Sequence, residues 1–286
     1  MRTKALAAGI SVVALALAYW TVPVRLVAQG IGGDTAAAQA AGKVPTPHTG
    51  DGHPDLTGLW NGGGNGNVNV VIDEKGNVHI PLNSRETSPV NFERDSGIRQ
   101  RADSNRPIYK RQFWSKVEYL DENGNAEDPT FSCMPAGVPR MGPPQKIIQL
   151  PNELIFLYQT KNTYRLIPIN GKHPPADELE GTWNGDSVAY WEGDTMVIDS
   201  IGFNDFGWLG WPGYFHSEDL HVIERLRRVG NVLNYQATAE DTTVLMKPWL
   251  LNPRTLLLNT DPKGTLLEEL PCAERSLQHM TTKERG

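Results

Sequence analysis

The chain has 286 residues, 27 Lys and Arg against 33 Asp and Glu, a net charge of −6 and only two cysteines. With no basic block beyond the short Arg225 to Arg228 group, nucleic acid is not an expected partner. Two cysteines without a C-x-x-C spacing argue against a redox-active pair, so Cys133 and Cys272 are read as one disulfide tying the C-terminal tail to the middle of an exported chain.

Taken in chain order, Arg2 and Lys4 precede an uncharged run from Ala5 to Val24, and Ala38-Gln39-Ala40 offers a small-residue cleavage pattern. Residues 1–40 therefore read as a signal peptide, or as an N-terminal anchor if uncleaved, which is the only membrane contact expected. This points to a periplasmic or secreted protein. Residues 41–55, rich in Pro and Gly, form an arm in which His48 and His53 are expected to be solvated. Residues 56–286 form a single domain.

Short apolar runs then recur between turn signals at Leu56–Asn61, Val68–Ile72, Asn77–Leu82, Lys146–Leu150, Leu154–Thr160 and Thr163–Ile169. The pattern continues to Glu269. Many short strands with few intervening helices predict an all-β fold, an antiparallel barrel or sandwich. One short amphipathic helix is expected from about Tyr109 to Leu120, with Phe113, Val117 and Leu120 at i, i+4 and i+7 and Gly124 as its stop. The proline-rich stretch from Asp128 to Pro144 reads as a fixed loop or crossover.

Side-chain alternation sorts the later strands. From Leu220 to Arg228 the apolar set is Leu220, Val222 and Leu226, with Glu224 among them, while His221, Ile223, Arg225 and Arg227 face the other way. A two-residue turn at Gly230-Asn231 pairs Val229 with Val232, sets Glu224 opposite Ala237, and adds Leu233, Tyr235, Ala237 and Ala239 to the apolar face. Glu224 then reads as a general acid or base, or as the structural partner of Arg165, Arg228 or Arg254. Upstream, a turn at Glu192-Gly193 would oppose Asp186 to Asp199, a pair that persists only with a cation, a shared proton or a metal between them.

The stretch from Gly202 to His216 (GFNDFGWLGWPGYFH) concentrates Phe and Trp among glycines, and reads as a lid over a ligand or as a plug filling the barrel end. Histidine spacing here does not match a metal motif, so no cofactor is expected, although His216 with Asp199 or Glu224 leaves a metal open.

Gly58-Leu59-Trp60 resembles the G-x-W opening of lipocalin-like (calycin) barrels, whose Trp closes one barrel end, often beneath an arginine from a late strand. Asn105-Arg106-Pro107, Asp128-Pro129-Thr130-Phe131, Gly137 to Pro144, Gly185-Asp186-Ser187, Trp191-Glu192-Gly193-Asp194-Thr195 and Gly202-Phe203-Asn204-Asp205 together resemble a family of exported, uncharacterised proteins of Gram-negative and soil bacteria. That resemblance covers most of the chain after residue 54. It implies a periplasmic location and a lipocalin-like barrel, and carries no activity.

Three functional classes follow. A binder of a small, largely apolar or aromatic organic molecule would use Trp183, Trp191, Trp208, Trp211 and Tyr235 as walls, with Arg140 or Arg165 orienting a polar end. An acid/base enzyme, a hydratase, lyase, isomerase or hydrolase, would use Glu224 with Asp199, Asp186 and His216, and Arg140, Asn162 or Arg165 at a developing oxyanion. A structural envelope module would show a filled barrel and an exposed aromatic patch.

Overall fold

The computed structural model describes residues 35–62, 71–72, 78–79, 105–159, 162–211 and 213–267. Cys272, most of the N-terminal segment and the runs around Val68 and Leu82 lie wholly or largely outside these residues.

After a helix α1 (Thr35–Ala41), the strands are β1 (Gly58–Gly62), β2 (Val71–Ile72), β3 (Val78–His79), β4 (Lys146–Gln149), β5 (Glu153–Leu157), β6 (Tyr164–Pro168), β7 (Asp186–Glu192) and β8 (Thr195–Ile201). They continue with β9 (Trp208–Gly210), β10 (Tyr214–Phe215), β11 (His221–Val229), β12 (Val232–Glu240), β13 (Trp249–Leu250) and β14 (Arg254–Leu258). The main sheet runs β6-β5-β4-β1-β14-β12-β11-β8-β7, every neighbouring pair antiparallel, with β13 joined to β12.

The path has nine strands, so eight antiparallel steps bring its two edges, β6 and β7, together in the same direction. An odd antiparallel meander can close only through one parallel contact. The structure shows it: the bridge between Ile169 and Ala189 is parallel, and Asn170 N–H donates to Ala189 C=O at 2.6 Å. The result is a nearly closed antiparallel barrel.

Alternation places the core as the sequence predicts on β11 and β12: Val222, Glu224, Leu226, Leu233, Tyr235, Ala237 and Ala239 are buried. Val229 pairs with Val232 and Glu224 with Ala237, because Gly230 supplies the positive φ (59°) that the turn needs. The β7–β8 register differs from expectation. Its turn is Gly193-Asp194, with Gly193 at φ 57°, since only glycine takes the left-handed first turn position without strain. Asp186 therefore opposes Ile201, and Asp199 opposes Val188. The shift is by two, so both aspartates stay on one outer face.

The helix also starts later than expected. Tyr109 instead forms a bridge with Leu245, a single 3-10 turn spans Arg111–Phe113, and α2 runs Trp114–Glu122. Phe113, Val117 and Leu120 do face inward, as predicted, onto a second apolar cluster.

Two bodies of side chains close the barrel. At the hairpin-turn end, Trp60 is buried with its indole N–H donating to Leu56 C=O at 3.0 Å. The Arg228 guanidinium lies 5.2 Å above its ring and donates to Gly230 C=O and Asp55 C=O. The arm is docked here: Gly230 N–H donates to Thr46 Oγ1, and His53 stacks flat on Trp191 at 4.5 Å. His53 is thus half-buried rather than solvated, whereas His48 is exposed. At the opposite end, α2, the 202–216 stretch and the 241–251 segment bury Tyr109, Leu120, Val138, Phe203, Trp208, Tyr214, Phe215, Val244 and Leu245 as a cap.

Candidate functional site

Inside the barrel, the predicted Glu224 and Arg165 meet. Arg165 Nη1 lies 2.6 Å from Glu224 Oε2, with both side chains essentially inaccessible (4% and 1% exposed). Arg165 also donates to Tyr158 Oη (3.2 Å), Ser187 Oγ (2.9 Å) and Ser200 Oγ (3.2 Å), and Tyr235 Oη donates to Glu224 Oε1 (3.0 Å). Burial alone would lower the Arg165 pKa, but the Glu224 carboxylate and the Tyr158 hydroxyl together more than offset it and hold the guanidinium above its ordinary value. Burial pushes Tyr158 and Tyr235 up, so both stay neutral.

Because β6 and β7 share almost no backbone ladder, Arg165 ties β6 to β7, β8 and β11 through its side chain. Glu224 is fully enclosed, with Tyr235 donating to Oε1 and the Arg165 guanidinium beside Oε2. The contact between Glu224 Oε2 and the guanidinium is ionic and lies outside hydrogen-bond geometry, and Arg165 Nε has no hydrogen-bond partner among the described residues.

The proposed catalytic partners do not join Glu224. Asp186 and Asp199 lie on the outside of the same wall. Between them sits His173, from the connection linking β6 to β7: its Nδ1 is 2.6 Å from Asp186 Oδ1 and its Nε2 is 3.3 Å from Asp199 Oδ1. His221 Nε2 meets the same Asp199 oxygen at 2.9 Å, and its Nδ1 lies 3.4 Å from Glu240 Oε2. The group set between the two same-face aspartates is thus an imidazole. Nothing in the alternation pattern could reveal it, because His173 lies in a loop with no strand phase. Among the described residues no group of three or more His, Cys, Asp or Glu has the geometry to hold a metal ion.

His216 is elsewhere again, buried in the cap. Its Nδ1 donates to Ser217 C=O at 2.9 Å, Phe203 meets its ring edge-on, and a side chain at Gly207 would collide with Nε2. Burial holds its pKa below the ordinary histidine value. Asn162 is exposed in the β5–β6 turn at φ 49°.

The predicted aromatic walls divide. Trp191 stacks on His53 at the arm end, and Tyr235 belongs to the interior network. Trp183, Trp208, Trp211 and Arg140 gather on the cap with two rings outside the predicted walls, Phe131 and Phe206. Trp183 and Phe206 are 6.1 Å apart, Trp208 and Trp211 6.0 Å, and Phe131 meets Trp211 edge-on at 5.9 Å. Arg140 lies 5.6 Å over Trp208, held by Asp128 through Nη1 at 2.8 Å and Nη2 at 2.5 Å. The backbone joins the two halves, with Val138 N–H donating to Trp183 C=O at 3.3 Å. Phe206 is 66% exposed and Phe131 58%, each resting on a half-buried tryptophan.

No family profile, curated protein or solved structure matches the chain. Among the described residues no helix is long and apolar enough to cross a membrane.

Proposed function

We propose that this protein binds a flat, largely apolar or aromatic small molecule on the surface of its cap, outside the barrel. The observation that carries the reading is the pairing of two exposed rings, Phe206 and Phe131, with the tryptophans beneath them. Rings held open beside other rings offer offset and edge-on stacking to a planar ligand. The interior, by contrast, holds the Arg165–Glu224 network and the core around it.

Arg140 lends its charge to Trp208 and keeps the loop after α2 in place through Asp128, so its role is to shape the platform. Calorimetric titration with 1-naphthol tests the reading. Saturable binding, weakened about tenfold by Phe206→Ala, is expected; binding left unchanged by that substitution contradicts it.

A second reading, an interaction module of the cell envelope, is favoured by Trp114, Tyr119 and Met246, which are exposed on the cap beyond the aromatic pairs. Export itself rests on the basic start and uncharged run of the N-terminal segment. Cleavage after Ala40 would leave Ala41, whose carbonyl accepts Asn231 N–H at 3.0 Å, as the first residue. The proposed Cys133–Cys272 disulfide would show as a two-dalton difference, the mass of two hydrogens, on reduction.

The Trp60–Arg228 stack supports the resemblance to lipocalin-like barrels, and the parallel β6–β7 seam distinguishes this barrel from an even-stranded meander.

A further inference from the structure

Parallel neighbours need a crossover, and the connection from β6 to β7 makes it over the outside of the wall. Residues 171–180 are exposed except for His173 and Leu179, which are half-buried. Among the described residues, the backbone hydrogen bond that segment 171–181 makes is a local one, from Glu178 N–H to Pro175 C=O. Attachment to the barrel resumes at Thr182, which bridges to Phe203. Among the described residues, the side chains that tie the stretch between Asn170 and Thr182 to the barrel include Leu179, packed near Gly202, and His173, set between Asp186 and Asp199.

We propose that this connection is a strap latched to the outer wall by the protonated His173 imidazole, and released when that ring loses its proton. Carboxylates only accept hydrogen bonds when ionised, so both contacts of His173 are made only if both ring nitrogens carry hydrogen. A neutral ring supplies one N–H, and its other nitrogen turns a lone pair toward a carboxylate oxygen.

The carboxylates facing the latch attract a charged imidazole, and a charged His221 repels it. Asp186 comes from β7, Asp199 from β8, His221 from β11 and Glu240 from β12. His221 is itself placed between Asp199, hydrogen-bonded to its Nε2 at 2.9 Å, and Glu240, whose Oε2 lies 3.4 Å from its Nδ1. The row alternates carboxylate, imidazole, carboxylate, imidazole, carboxylate across four strands, and two arginines share this face nearer its other end, Arg225, engaged with Glu192, and the exposed Arg227. With both rings neutral, three carboxylates on one face are left without a cation in the row. Histidine is the side chain whose charge turns over between about pH 5 and 8, so the latch is switchable where an arginine would be permanent.

Lys172, exposed and directly before the latch, provides the probe. Trypsin cleavage after Lys172 in the full chain is compared, between about pH 6 and 8.5, with cleavage of a free peptide of the same local sequence. Protection of the wild-type chain relative to the peptide should fall at least tenfold as pH rises. His173→Gln should be unprotected throughout, with near-UV circular dichroism unchanged. Ring ¹⁵N shifts of His173 in the wild-type chain give the second readout, and both nitrogens should be protonated while protection lasts. Constant protection across the range, a His173→Gln chain with the wild-type profile, or ring titration without loss of protection would each overturn the proposal.

Discussion

The two faces of the β7–β8–β11–β12 wall solve one problem in different ways. Each carries carboxylates in a sheet. On the inner face the counter-charge is a guanidinium, Arg165, sealed in the core against Glu224 and two tyrosines. On the outer face it is a pair of imidazoles, His173 and His221, open to water beside Asp186, Asp199 and Glu240. Guanidinium keeps its charge at any relevant pH and imidazole does not, so the inner network is a permanent fixture and the outer row is conditional. Chemistry at the level of one side chain thereby separates what holds the barrel closed from what can move.

The largest effect should come from breaking the inner pair. Arg165→Met leaves a buried carboxylate without its cation and should cost about 3–5 kcal/mol in urea unfolding. Adding Glu224→Leu should restore most of that loss, since two apolar groups can replace a buried ion pair. If the single change proves neutral, Arg165 does not hold the seam. Next, Asp128→Ala removes both charge-assisted bonds that orient Arg140, and should lower stability by about 2 kcal/mol while weakening 1-naphthol binding.

His216 sharpens the comparison through pH. Burial lowers its folded-state pKa, so the unfolded chain takes up the proton first as pH falls. Its contribution is fully present above the unfolded value of about 6.5, and declines below it by at most about 1.4 kcal/mol per pH unit until the folded-state value is reached. His216→Phe should flatten that acid limb in unfolding measured from pH 7.5 to 5. Acid thus loosens the cap, whereas rising pH frees the strap. The smallest effect is expected at the exposed Arg225–Glu192 pair of the outer face, where Arg225→Ala should change stability by no more than about 0.5 kcal/mol.

Much of this wall was legible in the sequence, because a strand's two-residue period assigns faces without any structure. Glu224 among Val222 and Leu226, the Gly230-Asn231 turn and the outward His221 all follow from it. What stayed hidden has specific causes. The β7–β8 register hung on which residue takes positive φ, and the choice fell on Gly193 as the first turn residue rather than the second. Tyr109 was drawn out of the helical pattern by a bridge to Leu245 and a hydrogen bond from its hydroxyl to Phe215 C=O, both long-range. His173 and Arg140 lie in loops, where spacing carries no facing information. The aromatic stretch announced a lid or plug, and the structure uses it as a cap whose outer rings remain uncovered.

The central claim is that the ligand surface is the cap and not the barrel interior. Mapping tryptophan indole ¹H–¹⁵N signals during titration with 1-naphthol tests it most directly. Shifts are expected at Trp183, Trp208 and Trp211 with Trp60 and Trp191 unmoved; shifts at Trp60 and Trp191 with a silent cap would put the ligand at the barrel instead.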